Sequence, residues 1–157
     1  LVGWGETSDA HHMSAPDPTG MGAIRAMQQA LAKGGVRADQ IDYLNLHGTA
    51  TVHNDSMESM AVQQVLGGAT PVSSTKPLTG HTLAAAGAVE AAFCWMTLTG
   101  NPEGRLPPHW WDGSLDAALA PVRIAAPGDS LGRPARYLMS NSFAFGGSNA
   151  SLLLGVG

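Results

Sequence analysis

Short apolar runs alternate with helix-spaced patterns along most of this chain, and that alternation narrows the fold more than any other feature of the sequence. Val2 to Gly5 has the character of a short buried strand. After the loop "PDPTG" (16–20), Ile24, Met27, Ala30 and Leu31 recur at helical spacing until Gly34 and Gly35 stop the pattern. "IDYLNL" (41–46) is the second strand and ends at His47-Gly48. Asp55 or Ser56 can cap a second helix, whose inner stripe is Met57, Met60, Ala61 and Val65 or Leu66. "TPVSST" (70–75) supplies a third strand, and Thr82 to Leu98 a third helix rich in Ala and Gly. A long irregular stretch with Pro107, Pro108, Trp110 and Trp111 follows. The chain closes on "YLMSNSFAF" (137–145), a Gly146-Gly147 turn and "SNASLLLG" (148–155), which read together as a hairpin. The order β-α-β-α-β-α-β-β predicts a single α/β layered domain. Its sheet is mostly parallel and five-stranded, with helices on both faces and the last strand antiparallel to its neighbour.

Composition excludes several classes of function. A chain of 157 residues is long enough for one domain with its own core. A net charge of −4 argues against nucleic acid as a partner, since a binder of phosphates shows a basic face. No apolar run reaches the ~18 residues of a membrane helix, and no secretory leader is visible. A single cysteine, Cys94, rules out an internal disulfide framework. A reducing, cytoplasmic compartment is the expectation. "LVGWGE" opens straight into a strand without Met, so the chain reads as a piece of something longer.

The strands are apolar, but their carboxyl ends are not. They run into "HGTAT" (47–51), "STKPLTGH" (74–81) and "NSFAFGGSN" (141–149). In open α/β sheets, ligands bind outside the carboxyl ends of strands, so these loops are expected to share one crevice. His47 fits either a strand-end histidine bonded to backbone or a functional group on a rigid scaffold. His81 precedes the third helix, whose positive end disfavours imidazolium, and a neutral histidine there can donate to a developing oxyanion. Lys76 has the ordinary reading of a solvated lysine. Glu90 sits among Ala and Val, where a carboxylate is costly unless Lys76, another polar group or a cation pairs with it. His47, His53 and Asp55 match no zinc spacing, and neither does His11-His12. Cys94, between Phe93 and Trp95, reads as core and not as a nucleophile. The small residues of "GHTLAAAGAVEAA" suit a central helix packed on both sides.

Taken together, "HGTAT" with Asp55, "STKPLTGHTLAAAGAVEA", "NSFAFGGSNAS" and "SDAHHMSAP" (8–16) resemble the C-terminal half of elongating β-ketoacyl-acyl-carrier-protein synthases. These condensing enzymes have a thiolase-like fold of two similar halves, and the derived element order is one such half. The resemblance implies decarboxylative condensation of a malonyl thioester with an acyl thioester held on a cysteine in the other half. It makes His47 and His81 the active-site histidines that stabilise the decarboxylation oxyanion, worth about 3–4 kcal/mol per good donor. Lys76, paired with Glu90, would orient the site. Thr49 and Thr51, with Ser14 in a related position, would bind the phosphopantetheine arm, and Phe145 would gate the acyl pocket beside the flexible Gly146-Gly147 turn. Asn45, Leu46, Glu90, Ser140 and Asn141 align with a structural monovalent-cation site of some relatives. No other cofactor is implied.

The implied partners are the N-terminal half, an acyl carrier protein and a second copy of the full enzyme. The chain alone is expected to be inactive. Two departures from the family pattern stand out. Ala144 replaces a glycine in the gating loop, where its Cβ restricts φ, and "HWWDG" (109–113) is unlike the usual sequence. The pathway therefore stays open between fatty-acid and specialised polyene or polyketide synthesis. Two other readings remain: a non-catalytic partner subunit that sets chain length, and a small ligand-binding α/β module.

Overall fold

The alternation is realised in the computed structural model, which describes residues 1–156. In chain order the elements are β1 (Gly3–Ser8), α1 (Met21–Gly34), β2 (Tyr43–Asn45), α2 (Val52–Leu66), β3 (Pro71–Ser73), α3 (Lys76–Thr79), α4 (Ala86–Leu98), β4 (Arg123–Ile124), β5 (Tyr137–Phe143) and β6 (Ser148–Gly155). The strands form one six-stranded sheet in the order β1-β6-β5-β2-β3-β4, one strand more than expected. The addition is β4, which pairs in parallel with β3 as Pro71↔Arg123 and Val72↔Ile124. So short a strand has no periodicity to read. β2 runs parallel to β3 and β5. β6 is antiparallel to both of its neighbours, β5 and β1.

Successive strand side chains point to opposite faces, and this sorts the core into two layers. Leu44 and Met139 join Ile24 and Met27 of α1 and Met57 and Val62 of α2. Tyr43 and Leu138 join Cys94 of α4. Helices thus cover both faces. α1 lies directly on β1 because the strand offers glycine there: a Cβ on Gly5 would stand 1.8 Å from the Ala26 carbonyl oxygen. Cys94 is core, as expected, and burial pushes its thiol up to about 12.

Three local expectations are corrected. The helix expected from Thr82 to Leu98 begins only at Ala86, after a 3-10 turn over Leu83–Ala85. Leu83 sits at φ 51, a left-handed conformation that an α-helix cannot contain. α2 starts at Val52 with Thr51 in the cap position, which leaves Asp55 and Ser56 inside the helix. Its rotation turns Met60 outward and brings Glu58 inward with Met57, Ala61 and Val62. Finally, α4 is packed on one side only within this chain. Ala86, Glu90, Cys94 and Thr97 face inward, while Trp95 and Met96 are each 60% exposed.

Candidate functional site

β2 delivers His47 to the carboxyl ends of the parallel strands, and a buried carboxylate fixes it there. The Glu58 oxygens accept the backbone N–H groups of His47 and Gly48, each at 2.8 Å. Burial raises the Glu58 carboxyl to about 7, although those two N–H donors favour its charged form. Glu58 was not anticipated from the sequence. No local signal marked it, because its burial depends on a rotation of α2 that turns Met60 outward.

β3 delivers the second group. Ser74 Oγ donates to the Gly48 carbonyl at 2.7 Å and ties the two strand-end loops together. Lys76 is buried and not solvated. Its ammonium donates to the His47 carbonyl oxygen and to Glu90 Oε1 of α4. Burial raises the Glu90 carboxyl above the usual range, with the Lys76 pairing acting in the opposite sense.

The rings of His47 and His81 lie 5.5 Å apart between centroids, at an interplanar angle of 84°. Burial, reinforced by the Lys76 charge, pushes His47 down to about 3. Lost solvation and Lys76 also lower His81. The expected helix-dipole effect is not the agent, because His81 precedes the turn at Leu83–Ala85 and that field fades within the first turn. The Leu83 N–H donates to His81 Nδ1 at 3.3 Å, which places the His81 proton on Nε2. Two uncharged imidazoles therefore meet at the ends of separate strands. Phe143 packs edge-on to His47, with centroids 6.2 Å apart.

The other site residues fall into three groups. Thr49 and Thr51 share a hydroxyl–hydroxyl hydrogen bond of 3.0 Å. Thr49 lines a cleft of about 470 Å³ together with Lys76, His81, Asp55, His109 and Trp111. Ser14 and Phe145 lie on two loops joined to each other, through Gly146 N–H to the Met13 carbonyl (2.9 Å) and Asp9 N–H to the Gly147 carbonyl (2.8 Å). Phe145 is 74% exposed, and Gly146 and Gly147 adopt φ 74 and 75. Ala144 sits at φ −122, where its Cβ costs nothing. In the third group, Asn45 Oδ1 and Glu90 Oε2 are buried oxygens with no hydrogen-bond partner among the described residues, and Ser140 is buried too. Asn141 turns its side chain away to the α1–α2 face, where it meets Met27, Glu58 and Ser151, so only its backbone is left to this set.

Residues 1–109 match the β-ketoacyl synthase C-terminal domain. The chain belongs to the β-ketoacyl synthase family. Over 98% of its length it is 42% identical to 3-oxoacyl-[acyl-carrier-protein] synthase 2 of Rhizobium meliloti, and it covers 36% of that protein. It is 41% identical to the mitochondrial 3-oxoacyl-[acyl-carrier-protein] synthase of Arabidopsis thaliana and covers 33% of it. Among solved structures, a chain of the ketosynthase–chain length factor complex from Xenorhabdus doucetiae is similar over all of this chain and 39% of its own length. The TM-score is 0.90 and the identity 51%. This β-ketoacyl synthase domain therefore spans little more than a third of the proteins it resembles. The family match ends where the Trp110-Trp111 loop begins.

Proposed function

We propose that this domain is the half of a β-ketoacyl-acyl-carrier-protein synthase that drives decarboxylation during chain elongation. The observation that carries the reading is the pair of neutral imidazoles, His47 and His81, 5.5 Å apart beside a buried lysine. The thioester carbonyl of malonyl-carrier protein accepts an N–H from each ring, which for His81 is Nε2–H. As the bond to the carboxylate breaks and CO₂ leaves, its electron pair moves into the carbonyl, and the two donors stabilise the resulting enolate oxygen. The enolate carbon then attacks an acyl thioester on a cysteine of the N-terminal half, and the thiolate departs. A neutral donor suits this task because it binds the oxyanion without giving up its proton. Lys76, held by Glu90 and by the His47 carbonyl, positions His47 and helps to keep both rings uncharged.

Thr49 and Thr51 hold the phosphopantetheine arm, with Ser14 near its path, and Phe145 swings on Gly146-Gly147 to admit the acyl chain. A structural monovalent cation belongs to the same reading. The unpartnered oxygens Asn45 Oδ1 and Glu90 Oε2 are hard donors that suit it. Ser140 and the backbone carbonyls of Leu46 and Asn141 are the remaining candidates. Bound there, it would hold strand ends together and take no part in the chemistry. The condensation changes no oxidation state that would call for a redox cofactor.

The N-terminal half, bearing the nucleophile, packs on the Trp95–Met96 side of α4, and the exposure of those two large apolar side chains supports this. The other partners are an acyl carrier protein and a second copy in a cytoplasmic homodimer. The X. doucetiae relative, a ketosynthase with its chain length factor, supports a two-subunit assembly. The presence of His47, Lys76 and His81 favours an enzyme over a non-catalytic partner subunit. Malonyl-carrier-protein decarboxylation and condensation by the full-length protein test the proposal. His47→Ala and His81→Ala are each expected to lower both by about 10²–10³. Decarboxylation unchanged in the two variants would reject the reading and leave a ligand-binding module.

A further inference from the structure

His109 opens the "HWWDG" loop and lines the cleft together with Thr49, Lys76 and His81. Its two ring nitrogens are in different situations. Nδ1 accepts the Ser74 N–H at 3.0 Å, which places the ring proton on Nε2. Burial lowers the histidine's affinity for a second proton, so the ring is uncharged. Among the described residues, Nε2 has no hydrogen-bond partner, and it is not one of the sealed, unpartnered atoms. Trp111 packs edge-on against the ring, with centroids 5.7 Å apart at 75°, and limits its rotation.

The cleft's chemistry selects its ligand. Asp55 lines it, and the charge of Asp55 bears on His109. One Asp55 oxygen accepts from the Asn54 amide at 3.1 Å, which leaves Oδ2 available. A carboxylate repels a phosphate or a malonyl carboxylate but accepts an amide N–H. A neutral N–H donor, a carboxylate acceptor and a wall of two indoles suit an apolar chain carrying amides.

We propose that His109 is a further substrate-positioning residue: its Nε2–H donates to an amide carbonyl of the pantetheine arm, Asp55 accepts from an amide N–H, and Trp110 and Trp111 cover the arm. The proposal rests on the condensing activity argued above, so its test includes binding as well as turnover. In His109→Asn, the amide oxygen stands where Nδ1 accepts from Ser74, and nothing replaces Nε2–H. In the full-length protein, NMR titration with pantetheine should give a Kd raised roughly fivefold by this variant, the worth of one hydrogen bond. KM for malonyl-pantetheine should rise by a similar factor with kcat unchanged, while turnover of malonyl butyl thioester, which has no amide, stays as in the wild type.

Equal pantetheine affinity in variant and wild type, or no binding to either, overturns the proposal. So does an equal loss on both thioesters, which would mean that His109 acts only through Ser74. If the wild type binds pantetheine but decarboxylates neither thioester, the condensing activity fails, and the binding ratio still decides the His109 contact. If His109→Asn does not fold, the wild type decides: the His109 ring resonances should shift on adding pantetheine and not on adding butanethiol, and an unshifted ring in the pantetheine complex overturns the contact.

Discussion

Lys76 donates from one buried ammonium to both the His47 carbonyl oxygen and the Glu90 carboxylate. A single cation thus joins the end of β2 to α4, from the first residue of α3. The same charge disfavours protonation of His47 and His81. Anchorage and electrostatics come from one side chain.

Lys76→Met should therefore be costly, because Glu90 is left buried without its cation. Breaking such a pair from one side costs about 3–5 kcal/mol. Lys76→Met/Glu90→Gln should recover much of that loss, since the stranded charge is gone. Urea unfolding of the full-length variants reads both. In the double variant, the His81 pKa should rise toward its ordinary value, because the repelling charge is absent, and an NMR titration reads it. A single variant as stable as the wild type would show that the pair carries no stability.

Glu58 and His47 bend the stability–pH curve in opposite directions. Burial raises Glu58 from 4.5 to about 7. Between those values the folded state keeps a proton that the unfolded chain has released, so stability falls as pH rises. Burial and Lys76 take His47 from 6.5 to about 3. Between those values the unfolded chain holds the extra proton, so stability falls as pH drops. Glu90 adds to the first effect, and His81 and His109 add to the second. From about pH 4.5 to 6.5 the two main effects nearly cancel. Glu58→Gln should expose the histidine slope: whatever its absolute stability, it should lose about 3 kcal/mol between pH 6.5 and 4.5. Urea midpoints across that range should stay nearly level for the wild type and decline for the variant. A variant as level as the wild type would contradict the assignment.

The site's main parts were legible because position in an α/β sheet has consequences. His47, Lys76 and His81 all follow carboxyl ends of parallel strands, and topology brings such ends together whatever the loops contain. Glu58 was not legible, because its burial depends on how α2 is rotated, and reading Met60 as inward set that rotation wrongly. β4 owes its existence to the free edge of β3. The His109 contact joins it to Ser74, 35 residues earlier, a separation at which local spacing says nothing. Asn141 aligned with a cation site, but its strand register sends the side chain to the opposite face.

Gly5→Ala tests how β1 and α1 meet. Its Cβ would fall 1.8 Å from the Ala26 carbonyl oxygen, which is helix backbone and cannot turn aside. α1 must move, opening the layer that contains Met27 and Leu153. Overpacking of this kind costs about 1–3 kcal/mol or more. The variant's unfolding midpoint should fall accordingly. An unshifted midpoint would mean that the close approach is not maintained in solution.

The two imidazoles should prove partly redundant. Each donor to a developing oxyanion is worth about 3–4 kcal/mol, or 10²–10³ in rate. His47→Ala and His81→Ala should each lower malonyl decarboxylation by about that factor in the full-length protein. Both donors serve one oxygen, with rings 5.5 Å apart, so the double variant should fall by less than the product of the single losses. Once one donor is gone, the enolate sits less deeply and the second loses part of its hold. Losses that multiply would show that the two histidines act at separate steps, and a shared oxyanion site would then be wrong. CO₂ release with non-transferable acyl partners isolates this step from condensation.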